Sequence, residues 1–106
     1  MSIVLLKLDK VELKKLPEKE AVYAIFTKDK EEKKPINCRY VGETDNLMER
    51  TKSHFSIREQ NERLRLFMQS ERTKIMLYEL MPNSTKEDRL MVEKKCVSSY
   101  QPEYNE

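Results

Sequence analysis

At 106 residues the chain makes one domain spanning 1–106, so any activity sits in a single compact unit. Charged residues make up 38% of it, as many as the apolar ones, and the net charge is only +2. That excludes the strong positive balance of a dedicated nucleic-acid binder, though not a local basic patch. Two isolated cysteines, Cys38 and Cys96, and a single histidine, His54, exclude most zinc-site patterns and predict a reduced, cytoplasmic protein. The apolar run Ile3 to Leu6 is too short to cross a membrane or direct export.

In chain order, Asp9-Lys10-Val11-Glu12 pairs an N-cap aspartate with a glutamate three residues on, and Pro17 stops the short helix it opens. Ala21 to Phe26 and Cys38 to Val41 are β-branched and aromatic, which predicts two antiparallel strands joined by the charged loop Thr27 to Asn37. Asn46-Leu47-Met48-Glu49 repeats the cap pattern and opens a helix to about Phe55. Ile57, Leu64, Phe67 and Met68 fit a second helical stripe. Lys74 to Leu80 reads as a third strand, and Pro82 breaks it. Ser84, with Glu87 three on, caps a last helix from about Thr85 to Tyr100, which Pro102 closes. The fold class expected is α/β, a small three-stranded antiparallel sheet flanked by helices.

The one glycine of the chain, Gly42, falls at a junction of strand and helix, where it would serve a turn at φ > 0 or a close approach of backbone to another group. Tyr23 and Tyr40 lie on the neighbouring strands, where they are either core aromatics or phenols emerging on one side of the hairpin. Arg50 and His54 share a helix face four residues apart, as two donors to an anion or as a plain solvated face, and the positive start of that helix points towards the tyrosines. On the last helix Leu90, Cys96, Val97 and Tyr100 form an apolar arc with Glu93 in its middle. A carboxylate so placed must pair with an arginine, Arg50 being the candidate, or hold a cation at a cleft.

These residues together, Ala21-Val22-Tyr23, Tyr40-Val41-Gly42, Arg50, His54, Glu93 and Pro102-Glu103-Tyr104-Asn105, resemble the GIY-YIG nuclease family from Leu16 to Asn105. The resemblance implies a DNA endonuclease using one divalent metal, Mg²⁺ or Mn²⁺. It further implies that Tyr23 and Tyr40 match the signature tyrosines, Arg50 the helix arginine, His54 a position held by histidine or tyrosine, Glu93 the metal-binding carboxylate and Asn105 the terminal asparagine. Ala21 stands in place of the first signature glycine.

Phosphodiester hydrolysis needs an activated water and a partner for the charge on the non-bridging oxygens. One carboxylate suits one Mg²⁺ that keeps most of its waters. Arg50 would grip the phosphate, Tyr23 would act as general base, Tyr40 would position the water or a phosphate oxygen, and Asn105 would orient the site. Arg58, Arg63, Arg65, Arg72 and Lys74, clustered in the middle third, are the expected DNA contacts. The alternative is a catalytically silent module of the same fold that binds nucleic acid or protein. A targeting subunit or a second copy of the chain is a further expected partner, a membrane is not.

Overall fold

The computed structural model describes residues 3–8, 12–28 and 35–105. Four strands, β1 (Ile3–Leu8), β2 (Ala21–Lys28), β3 (Pro35–Thr44) and β4 (Lys74–Leu80), form one antiparallel sheet in the order β1-β4-β2-β3. The three predicted strands are its β2, β3 and β4. The sheet has one more strand than the three expected, because Ile3–Leu8 joins the free edge of β4. An apolar run that short carries no alternation by which to tell a strand from a segment of another kind.

The helices are α1 (Leu47–His54), α2 (Glu62–Gln69) and α3 (Lys86–Tyr100). Between β1 and β2 the described residues form a 3₁₀ turn, Glu12–Lys15, and the Asp9 cap expected there lies outside the described residues, as does the tip of the charged loop at 29–34. Asn46 caps α1 as its sequence predicts, accepting from the Glu49 N–H at 3.1 Å. The second stripe starts later than its first apolar residue: Ile57 is exposed, and α2 opens only at Asn61, whose side chain accepts from the Leu64 N–H. The cap of α3 is Thr85 rather than Ser84, because Thr85 and Asp88 exchange both hydrogen bonds of a capping box.

Helices cover both faces of the sheet. On one, Ala21, Tyr23 and Ile25 of β2 pack with Leu13, Leu16, Leu47, Leu64, Phe67, Met68 and Met76, beneath α1 and α2. On the other, Ala24, Phe26, Cys38 and Val41 meet Cys96 and Val97 of α3. The apolar arc expected on α3 is only partly used, since Leu90 is exposed and Tyr100, though it meets Phe26 edge-on at 5.4 Å, keeps 40% of its surface in water. Between Ile25 and Phe26 the pairing with β3 skips a residue, so that Ile25 faces Tyr40 and Phe26 faces Cys38. The extra residue, Arg39, forms a bulge that re-aims the strand. Cys38 thereby stays on the α3 face while Tyr40, two residues on, turns to the face that carries Tyr23.

Candidate active site

Tyr23 and Gly42 are direct cross-strand partners. A Cβ on Gly42 would lie 2.5 Å from the Tyr23 hydroxyl oxygen and 2.6 Å from the ring carbon that bears it. The backbone there has no positive φ. Gly42 is therefore not the structural turn expected of it; it sits inside β3 and makes room for a phenol lying flat across the strand. Ala21 is fully buried in a regular pair with Thr44 and Leu80, a place where a methyl group fits and no left-handed backbone is required.

Behind Gly42 runs a buried chain of polar groups. The Tyr23 hydroxyl lies 2.6 Å from His54 Nε2, and His54 Nδ1 lies 2.8 Å from Glu59 Oε1. His54 is 0% exposed and Tyr23 2%, so neither donates to an anion in solution. The solvated Arg50–His54 face expected from spacing is corrected accordingly: Leu47, Thr51 and His54 form the buried stripe of α1, and Arg50 alone of the pair reaches water. The start of α1 is also closed to anions. The N–H groups of Leu47 and Met48 donate to the carbonyls of Lys19 and Pro17, at 3.0 and 3.2 Å.

In front lies an open polar cleft of about 830 Å³, lined by Tyr40, Arg50, Ser53, Ser56, Arg58, Glu59, Gln60, Asn61 and Asn105. Tyr40 is half-buried, its ring 6.2 Å from that of Tyr23 and edge-on to His54 at 5.2 Å. Both phenols thus share one sheet face. Burial pushes the Tyr23 phenol well above the usual tyrosine range, and Tyr40 also up, with Arg50 pulling both back. Arg50 Nη1 donates to Ser53 Oγ at 3.1 Å and lies 3.8 Å from Glu59 Oε2. Asn105 clamps the free edge of β3: its Oδ1 accepts from the Val41 N–H and its Nδ2 donates to the Val41 carbonyl, both at 2.8 Å. Beside it Glu103 and Tyr104 bond to the carbonyls of Cys38 and Arg39. The tail consequently fixes the strand segment that carries Tyr40.

Glu93 projects from α3 next to Glu43 of β3. Burial first, and then the Glu43 charge, hold its carboxyl above the usual carboxylate range. The pairing with Arg50 that its place on the helix suggested is absent. Arg50 leans on Glu59, Arg89 donates to Glu43 at 3.0 Å and to the Ser84 carbonyl at 2.9 Å, and Lys86 acts on Glu93 only through its charge. Among the described residues no cation forms an ion pair with Glu93. A half-buried carboxylate without an ion-pair partner suits one hard divalent cation that keeps most of its waters; Glu43 beside it is held by Arg89, and the described residues gather no group of three or more possible metal ligands. The Glu93 charge is felt at Tyr40, though Glu93 itself does not line the cleft.

The basic residues of the middle third separate by role. Arg58 is exposed at the cleft, and Arg72 is exposed away from it. Arg63 stacks on Tyr104 at 4.8 Å and pairs with Glu103, and Arg65 leans on Glu62. Lys74 does not serve as a DNA contact: it is 5% exposed, its ammonium donates to the carbonyls of Ser70 and Arg72, and it sits over the Phe67 ring. It closes the end of α2. Arg39 is likewise inward, bound to Thr27 and Glu103 and flanked by Phe67 and Tyr104. No helix of the described residues is long and apolar enough to cross a membrane.

Residues 20–106 match the family model of the UvrC-like GIY-YIG domain. The chain belongs to the GIY-YIG family. The UvrABC system protein C of Helicobacter pylori, in strains P12 and ATCC 700392 / 26695, is 32% identical to it over 97 residues, which is 88% of this chain. The chain spans 15% of the length of those curated relatives. The fold is similar to the GIY-YIG N-terminal endonuclease domain of UvrC from Thermotoga maritima, solved with magnesium as its catalytic divalent cation. That likeness has a TM-score of 0.61 and 20% identity over 93% of this chain and 100% of that one. A point mutant of the same domain gives 0.61 at 19% identity, with the same coverage.

The resemblance read from the sequence drew attention to Tyr23, Tyr40, Arg50, His54, Glu93 and Asn105, but not to Glu59. Five residues beyond His54 and on a loop, Glu59 has no motif around it. The only hint was the histidine itself, because a buried imidazole needs a partner on each nitrogen.

Burial holds the His54 imidazole below its ordinary 6.5 despite Glu59, and the His54 hydrogen bond holds Glu59 below the usual carboxylate range. Both folded-state values are depressed, so the unfolded chain binds more protons and acid favours unfolding. The stability tied to His54 is fully present above about pH 6.5 and is lost as pH falls towards its folded value; that tied to Glu59 is lost at lower pH still. Glu93, displaced upward, acts in the opposite sense, so Glu93→Gln is the cleaner background. The melting temperature measured there is expected to be level near neutrality and to fall from about pH 6.5 downward. A melting temperature that rises on acidification would contradict a neutral buried imidazole.

Proposed function

We propose that this chain is a metal-dependent endonuclease domain that hydrolyses DNA phosphodiester bonds with one divalent cation. The observation that carries the reading is the cleft: Tyr40, Arg50 and Asn105 meet on one open polar surface, with the second phenol, Tyr23, buried directly behind it. Arg50 offers a planar fork of donors to a phosphate entering the cleft and favours the pentacovalent transition state, in which negative charge accumulates on the non-bridging oxygens. Glu93 is the residue that would hold Mg²⁺ or Mn²⁺, and the bound cation supplies positive charge against the phosphate.

The base is Tyr40 and not Tyr23. A general base must come within hydrogen-bond reach of the water it deprotonates, and Tyr40 lines the cleft while Tyr23 is sealed and bonded to His54. Tyr23 and His54 position Tyr40 from behind, and Asn105 holds its strand. The DNA contacts are few: Arg58 at the cleft, with Arg63, Arg65 and Arg72 outside it.

Incubation of the purified chain with supercoiled, single-stranded and branched DNA in Mg²⁺ or Mn²⁺ tests the reading. Cleavage that disappears in EDTA is expected. Unchanged DNA in every case, alongside binding, favours the silent module. With metal omitted, the log of the duplex binding constant is expected to fall with log salt at a slope of roughly −2 to −4, following ~0.9 per phosphate contact. A titration that shows no dependence on salt would contradict contact through these arginines.

A further inference from the structure

We infer that Glu59 is a positioning residue of the cleft, whose carboxylate holds His54 in the Nδ1–H tautomer with one oxygen and sets Arg50 at the cleft wall with the other. The effect on catalysis rests on the endonuclease reading above; the hold on His54 does not.

The proton assignment follows from counting. Two hydrogen bonds join Tyr23, His54 and Glu59, and each needs one proton. With the imidazole proton on Nε2, the bare Nδ1 would face a carboxylate oxygen at 2.8 Å, lone pair against lone pair. With protons on both nitrogens, Nε2–H would donate to the phenol oxygen, and the Tyr23 O–H would need another acceptor, which no described residue supplies. Only Nδ1–H donating to Glu59, with Nε2 accepting from the Tyr23 O–H, satisfies every group. The three are buried, Glu59 at 8% exposure, so water does not offer a cheap alternative. The depressed His54 value agrees with a neutral ring.

Glu59 therefore reaches both halves of the site. Through His54 it directs the Tyr23 hydroxyl, which fills the space above Gly42, and both rings touch Tyr40. Through its second oxygen and Ser53 Oγ it brackets the Arg50 guanidinium, whose side chain is 38% exposed towards the cleft. The Glu59 N–H donates to the Ser56 carbonyl, which ties the carboxylate to the end of α1.

His54 is the only histidine in the chain, so its two ring nitrogens can be read without ambiguity by ¹⁵N NMR of the whole protein. In the wild type near neutral pH a protonated Nδ1 and an unprotonated Nε2 are expected. Glu59→Ala is expected to lose that tautomer and to lower kcat on supercoiled DNA in Mg²⁺ by about 10- to 100-fold, with little change in KM. Glu59→Gln keeps an oxygen that can accept from Nδ1–H, and is expected to keep the tautomer and recover most of the lost kcat.

A wild type carrying Nε2–H or an imidazolium overturns the inference, as does a Glu59→Ala protein with unchanged tautomer and unchanged kcat. Equal loss of kcat in both variants, tracking their melting temperatures, makes Glu59 merely structural and overturns it too. If Glu59→Ala does not fold, the wild-type spectrum and Glu59→Gln decide. A chain that cuts no DNA but shows the expected tautomer, lost in Glu59→Ala, removes the endonuclease reading and leaves the hold on His54 standing.

Discussion

Gly42→Ala is expected to lower the melting temperature by on the order of 10 °C and to remove any cleavage that the chain supports. The new methyl carbon would sit 2.5 Å from the Tyr23 oxygen and 2.6 Å from its ring, well inside contact distance. Nor can the ring step aside cheaply. Tyr23 is 2% exposed, paired between Gly42 and Tyr78, and bonded to His54. Overpacking a closed core costs about 1–3 kcal/mol, and about 1 kcal/mol moves the melting temperature of a domain this size by ~4–8 °C. Displacing the phenol also breaks its bond to His54 and disturbs the ring packed against Tyr40. Gly42→Ala with Tyr23→Phe is expected to regain little, because the ring carbon clashes as well as the oxygen. Thermal melts and nicking assays on the two variants check this. A Gly42→Ala chain as stable as wild type would mean that the phenol does not lie across the strand.

Glu93→Gln is expected to abolish metal-dependent cleavage, leave the fold intact, and leave DNA binding unchanged or tighter. The amide keeps the shape of the side chain and removes the charge that would hold a divalent cation, along with a negative charge near the phosphate. The direction of the stability change separates a metal ligand from a structural ion pair. A carboxylate in a buried ion pair would cost several kcal/mol to neutralise, and the melting temperature would drop. Here burial, and then the neighbouring Glu43 charge, raise the Glu93 pKa against a weaker pull from Lys86, while Arg50 and Arg89 are engaged by Glu59 and Glu43. A level or higher melting temperature together with lost cleavage is therefore expected. Calorimetry and cleavage in Mg²⁺ provide the check, and a Glu93→Gln chain that cuts at the wild-type rate would remove Glu93 from the metal site.

The local pattern of the sequence determined the helix caps at Asn46 and within one residue of Thr85, the three strands at Ala21, Cys38 and Lys74, and the set of residues that carries the family resemblance. Those features depend on side chains acting on backbone a few residues away, so they survive being read in one dimension. What a side chain faces was decided only by tertiary structure. The bulge at Arg39 brings Tyr40 to the face of Tyr23, and no short-range rule announces it. Whether Gly42 served a turn or a close approach depended on a ring nineteen residues earlier in the chain. Spacing placed Arg50 and His54 on one helix face, yet packing against the sheet buried one and left the other in the cleft. Lys74 counted as a positive charge until the end of α2 and the Phe67 ring enclosed it. Glu59 became a partner of His54 and Arg50 only when the loop after α1 folded back, because the free energy of a buried charge depends on the groups gathered around it and not on its neighbours in sequence.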